Sequence, residues 1–202
     1  MVIPAESTAK YCIPAGYKHR LHNRHFDDTP NKDEFQNEVY QAAFDYLQVS
    51  GGSRVFDIGC GSGFKLMKFF SDFDTVGFDV RQTVEFLRQA YSDREWRVSD
   101  LGATPNEKCD VMVCADVVEH IPDPDMLMRF MAAIDFDRLF LSTPDRDIVR
   151  GVGHRGPPQN KAHCREWNSE EFAEYVGRWF KVEDSVITNR AQGTQMVVCS
   201  RK

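Results

Sequence analysis

The run Val55-Phe56-Asp57-Ile58-Gly59-Cys60-Gly61-Ser62-Gly63-Phe64 constrains this chain more than any other feature. Arg54 to Ile58 reads as a short buried strand, and Phe64 to Phe73 as the helix that follows. Between them stands a tight turn with glycine at 59, 61 and 63. Glycines there let backbone approach a bound ligand where a Cβ would collide. Asp57 falls at the carboxyl end of the strand, where ligands of open α/β sheets bind. The spacing separates ligand classes. A dinucleotide fingerprint, G-x-G-x-x-G, needs its third glycine where Phe64 stands, so a pyrophosphate cofactor is disfavoured.

The alternation of strand and helix continues downstream. Strands are expected at Thr75–Phe78, Trp96–Val98, Val111–Cys114 and Arg138–Ser142, with helices at Thr83–Tyr91 and about Asp125–Ala133. An earlier helix over Asp33–Gln48 would turn Phe35, Val39, Ala42, Ala43, Tyr46 and Leu47 to one side before Gly51-Gly52 ends it. Such alternation implies a parallel sheet covered on both faces. Phe180–Ile187 and Thr194–Ser200 read as a closing antiparallel hairpin. Together these give an α/β three-layer sandwich on a mostly parallel, seven-stranded sheet. Residues 144–167 read as a long, glycine- and proline-rich loop of a kind that is often functional. Asn168 is expected to cap the next helix, with Glu171 returning the bond and Trp167 and Phe172 at the staple positions. Residues 1–32 read as an arm that packs onto the domain formed by 33–202, or as a lid over its pocket. Tyr11, Ile13, Tyr17, Leu21 and Phe26 give this arm apolar groups to bury.

Further acids follow at the ends of strands. Asp79 closes Val76-Gly77-Phe78-Asp79, where a carboxylate can accept both hydroxyls of a ribose. Asp100 follows the third strand and can accept from an adenine amino group. These blocks resemble motif I and its successors in class I S-adenosylmethionine-dependent methyltransferases of the small-molecule, type 11/12-like kind. Cys109 to Pro124 is similar to that family's fourth-strand motif, and Leu139 to Asp145 to its fifth. His163-Cys164-Arg165-Glu166-Trp167 resembles a stretch common in its small-molecule members. The resemblance runs from about Glu34 to the end, and it implies a Rossmann-like fold and S-adenosyl-L-methionine as cofactor. It places Asp57, Gly59, Cys60, Gly61 and Gly63 around the methionine portion. It sets Asp79 and Val80 at the ribose, Asp100 and Leu101 at the adenine, and Ala115 and Asp116 along the fourth strand. Read without it, Asp57 could merely satisfy turn amides and Asp100 could cap a helix.

Methyl transfer from a sulfonium is an in-line displacement in which the protein positions two reactants and excludes water. An oxygen acceptor often also needs a base, and histidine is the usual choice. His120, His154 and His163 are the catalytic candidates; Tyr11, Tyr17 and His19 could reach the pocket from the arm. Asp116, Glu119 and His120 have the i, i+3, i+4 spacing that can hold a divalent ion. Pro122 opposes a long helix there, so no metal is expected. The His19, His22, His25 series reads as a solvated loop.

A net charge of −6 argues against a duplex nucleic acid partner. Lys18 to His25 is one candidate for a local basic patch. The six cysteines form no C-x-x-C pair, so a zinc knuckle is not expected and reduced, buried thiols are. No apolar run is long enough to span a membrane, and no signal core precedes the arm. The expectation is a cytoplasmic enzyme, monomeric or homodimeric, that methylates a small molecule, preferably at oxygen. A protein or RNA methyltransferase, or a non-catalytic scaffold of the same fold, remains open.

Overall fold

The computed structural model describes residues 9–22 and 27–202. Pro4, Arg24, His25 and Phe26 lie outside the described residues. Seven strands form one sheet in the order β3-β2-β1-β4-β5-β7-β6. They are β1 (Arg54–Ile58), β2 (Asp74–Asp79), β3 (Glu95–Val98), β4 (Lys108–Ala115), β5 (Asp135–Pro144), β6 (Lys181–Asn189) and β7 (Thr194–Ser200). The first five run parallel, while β7 pairs antiparallel with both β5 and β6. The helices are α1 (Asn37–Ser50), α2 (Phe64–Phe70), α3 (Arg81–Ala90), α4 (Pro124–Ala132), α5 (Arg146–Arg150) and α6 (Ser169–Gly177), with a 3-10 turn at Val118–His120.

The layers follow from side-chain alternation along the strands. Val111 and Val113 of β4 join one core with Val39 and Leu47 of α1 and Leu66 of α2. Met112 and Cys114 join the other, with Leu127 and Met131 of α4 and Phe172 and Tyr175 of α6. A strand buried on both faces must be apolar on both, and β1 and β4 are, apart from Asp57, Asp110 and the basic residues Arg54 and Lys108 that begin them. The outer strand β6 carries Lys181, Glu183 and Asp184 near its start, charges that discourage edge-to-edge pairing.

Two features differ from expectation. α1 begins at Asn37, four positions later than the expected Asp33, because Gln36 takes a left-handed conformation (φ 59°) and points its amide at Asp116. Its buried residues are Val39, Tyr40, Ala43 and Leu47, while Phe35 is exposed. The loop after β5 contains α5, capped by Asp145, whose Oδ1 accepts from the Ile148 amide at 3.1 Å. The expected capping box at α6 is present with both bonds, and Trp167 packs 5.9 Å from Phe172.

The arm divides into two parts. Tyr11, Ile13 and Tyr17 belong to the core on the α4–α6 side of the sheet. Trp167 Nε1 donates to the Tyr11 carbonyl at 2.8 Å, and the Glu166 amide donates to the Tyr17 hydroxyl at 3.0 Å. Residues 27–36 take another course, toward the carboxyl ends of the strands. Five of the six cysteines are buried and all are free thiols. Among the described residues, no helix is long and apolar enough to cross a membrane.

Candidate active site

Strand order reverses between β1 and β4, and there the carboxyl ends of the strands open into a cavity of about 840 Å³. That is within the roughly 300–1,000 Å³ of small-molecule sites, at the position where doubly wound sheets bind ligands. The glycine turn forms one wall. All three of its glycines have positive φ. A methyl group on Gly59 would collide with Val117, so Gly59→Ala is expected to destabilise the fold by about 1–3 kcal/mol, read from the urea midpoint. Gly63 serves packing and does not line the cavity: a Cβ there would lie 2.8 Å from Leu87 and 2.9 Å from Trp96.

Asp79 ends β2 and faces the cavity. Its Oδ2 accepts from the Gly61 amide at 2.9 Å and its Oδ1 from the Val80 amide at 2.7 Å. The carboxylate therefore shapes the glycine turn and still has acceptor capacity left, since each oxygen offers two lone pairs. Asp57 is fully buried behind the turn and does not line the cavity; both its oxygens receive the Tyr40 hydroxyl, at 3.2 and 3.0 Å. Burial pushes its pKa up to about 7, against the pull of the Tyr40 bond and the Lys65 charge.

The other expected residues sort by position. Gly59, Cys60, Val80, Leu101, Ala115, Asp116, His120 and His163 line the cavity. Asp100 does not; it closes its own turn by accepting from the Gly102 amide at 3.0 Å. His154 does not either, because its Nδ1 accepts from the Gly156 amide within the loop at 3.2 Å. Tyr11, Tyr17 and His19 are likewise absent from the lining. The Tyr11 hydroxyl bonds Asp123, and His19 packs edge-on against Tyr17, so core packing takes these rings away from the pocket.

Several lining residues escaped the sequence reading. Asp28, from the arm, stands over Gly61, where a Cβ would collide with its carboxylate. Burial, then the Asp79 charge, raises its pKa to about 6. Lys65 faces the same cavity, its pKa lowered by burial despite Asp57, Asp28 and Asp116 nearby. Its signal was local, a cation two residues past Gly63. Gln36 had no local signal. Its Nε2 donates to Asp116 Oδ2 at 2.8 Å, and Ser142 Oγ donates to Oδ1 at 2.7 Å. These bonds hold Asp116 at φ 55°, strain of the sort that clusters at functional sites.

Opposite the glycine turn, Glu119, His120 and His163 come together. Their nearest ligand atoms all lie within 4.8 Å of one another. Asp116, grouped with the first two by spacing, bonds Gln36 and Ser142 instead, and His163 from the distant loop takes the third place. Arg20 pins that loop, donating from Nη1 to the Asn160 and His163 carbonyls at 2.7 and 3.1 Å.

Comparison with known proteins agrees with this geometry. Residues 20–183 match the family described as a methyltransferase domain. A ubiquinone biosynthesis O-methyltransferase from Xanthomonas oryzae pv. oryzae is 28% identical over 142 residues, covering 62% of this chain and 58% of that protein. One from Neisseria meningitidis is 32% identical over 94 residues, 41% of this chain and 40% of its own. The chain thus spans about three fifths or less of the length of these relatives. Magnesium protoporphyrin IX methyltransferase from Synechocystis, solved with bound S-adenosylhomocysteine, superposes with a TM-score of 0.60 at 18% identity, covering 82% of this chain and 83% of that one.

Proposed function

Because the chain belongs to the methyltransferase domain family, we propose that it transfers a methyl group from S-adenosylmethionine to an oxygen of a small-molecule acceptor. The observation that carries this reading is Asp79, held by the Gly61 and Val80 amides at the rim of the cavity. In that position its remaining lone pairs suit the two hydroxyls of a ribose. The cavity also fits the charge of such a cofactor. Among the described residues, Asp28, Asp79, Asp116 and Glu119 line it, with Lys65 the one lysine. An excess of carboxylates favours a ligand that carries a sulfonium and an ammonium group.

Bound there, the cofactor would supply an activated methyl group. The chain's own contribution is placement and exclusion of water. Gly59 and Cys60 border the methionine portion, Val80 and Leu101 flank the nucleoside, and Ala115 and Asp116 close the fourth-strand side. Lys65 suits the cofactor carboxylate. Residues 27–32 cover the cofactor half and act as the lid of the 33–202 domain, with Asp28 and Asn31 facing the cavity. The acceptor oxygen then lies against Glu119, His120 and His163, which handle its proton. The volume, about 840 Å³, suits two small molecules better than a polymer.

Isothermal titration with S-adenosylmethionine, followed by an acceptor screen read by release of S-adenosylhomocysteine, tests the reading. No heat of binding would sink it. The same titration carries a pH prediction. In the free protein Asp57 and Asp28 have pKa values raised by burial to about 7 and about 6. A cationic ligand favours their ionised forms, so both pKa values fall on binding and protons are released. Affinity is therefore expected to rise between about pH 5 and pH 7 and to level off above. Titrations at pH 6.5 in buffers of different ionisation enthalpy should show net proton release; uptake would contradict the assignment.

A further inference from the structure

We infer that Asp28 and Lys65 clamp the amino-acid end of the cofactor, Asp28 taking its ammonium group and Lys65 its carboxylate, and that this clamp holds residues 27–32 closed over the site. The inference rests on the S-adenosylmethionine reading. It supplies partners for charges that the acids of the first two strands do not reach. Asp57, to which the resemblance gives the methionine portion, is fully buried and does not line the cavity. Both its oxygens receive the Tyr40 hydroxyl, at 3.2 and 3.0 Å. Asp79 holds the Gly61 and Val80 amides and, in this reading, the ribose.

Asp28 fills the gap. It lines the cavity, and its carboxylate rests on Gly61 in the space that a Cβ would take. Asp79 Oδ2 accepts from the amide of that same glycine at 2.9 Å, so two carboxylates converge on one residue. Neither forms an ion pair among the described residues. Like charges held this close repel, and a cation beside them relieves the repulsion. The position suits a cation that also donates hydrogen bonds. An ammonium group has three donors, and a sulfonium has none.

Lys65 comes from α2, two residues past Gly63, and lines the same cavity. Its ammonium lies 5.8 Å from the Tyr40 ring centre and makes no ion pair among the described residues. It is near enough to pull on the Asp28 and Asp57 carboxylates. An α-amino acid carries its two charges on one carbon, so an acid and a lysine that answer both must stand near each other. The segment is fastened to suit. The Asn31 amide donates to the Asp28 carbonyl at 2.9 Å, and Lys68 of α2 holds Asp33 at 2.7 Å. Asp28 is therefore tied to the helix that carries Lys65. A ligand closes such a segment only through contacts present in the closed state.

The test compares two ligands on the full chain by calorimetry. S-adenosylhomocysteine has the amino-acid end; 5′-methylthioadenosine keeps the adenosine and the thioether without it. Asp28→Asn and Lys65→Met should each weaken S-adenosylhomocysteine at least about tenfold, the scale of a lost charge-assisted bond, and leave 5′-methylthioadenosine within about twofold. Thermal unfolding of both variants checks that they fold. Hydrogen exchange reads the lid: S-adenosylhomocysteine should slow exchange of the 27–32 amides in the unaltered protein, and 5′-methylthioadenosine should not. Unchanged S-adenosylhomocysteine affinity in Asp28→Asn, or an equal loss for both ligands, would overturn the clamp and leave the cofactor reading standing. Equal protection of residues 27–32 by the two ligands would overturn its part in closure. Failure of both ligands to bind the unaltered protein would sink the cofactor reading, and this inference with it.

Discussion

Asp79→Ala is expected to weaken binding of S-adenosylmethionine by about 1.5–3 kcal/mol, the scale of lost charge-assisted hydrogen bonds. Two effects add in this variant. The proposed ribose hydroxyls lose their acceptor, and the Gly61 and Val80 amides lose theirs. Asp79→Asn separates the two, since an amide oxygen can still accept one backbone bond while the charge is gone. Calorimetry on both variants, with thermal unfolding of the free proteins, gives the measurement. Unchanged affinity in Asp79→Ala would remove the ribose assignment. A loss of folding stability as large as the loss of affinity would show that the turn, and not the ligand contact, had been lost.

Glu171→Ala is expected to destabilise the protein by about 3–5 kcal/mol, the cost of stranding a buried charge. Arg146 is 1% exposed, and its two terminal nitrogens bond Glu171 at 2.6 and 2.7 Å. Glu171 also closes the capping box of α6. Glu171→Gln keeps the cap, because glutamine fills the same role, but removes the charge and one of the two acceptors that Arg146 uses. Urea unfolding of the pair apportions the two contributions. A loss below about 1 kcal/mol in Glu171→Ala would mean that Asp147, 3.5 Å from Arg146 Nε, suffices to hold the guanidinium.

What could be read before folding was local. β7 runs over the expected Thr194–Ser200, and the Asn168–Glu171 box is present, because alternation and capping are properties of neighbours in sequence. The glycine turn and Asp79 were legible for the same reason. The start of α1 was not, since Gln36 leaves the helix to reach Asp116, 80 positions away. Tyr40 was missed as the partner of Asp57, although the period of Val39, Tyr40, Ala43 and Leu47 would have placed it inward. Asp28 and His163 reach the cavity from opposite ends of the chain, and no spacing rule connects them. Asp100 and His154 follow the reverse pattern: their residue types fit a site, but near backbone amides already hold their side chains.

The anchoring of Tyr11 and Tyr17 has a practical outcome for protein production. The methyltransferase match begins at residue 20, an inviting place to start a shortened gene. Cutting there would strip Tyr11, Ile13 and Tyr17 from the face they cover, at roughly 1.5–3 kcal/mol per large side chain, and leave the Trp167 indole without its acceptor. Such a fragment would be sticky before it was inactive, so a failed assay on it would report on solubility and say nothing of chemistry.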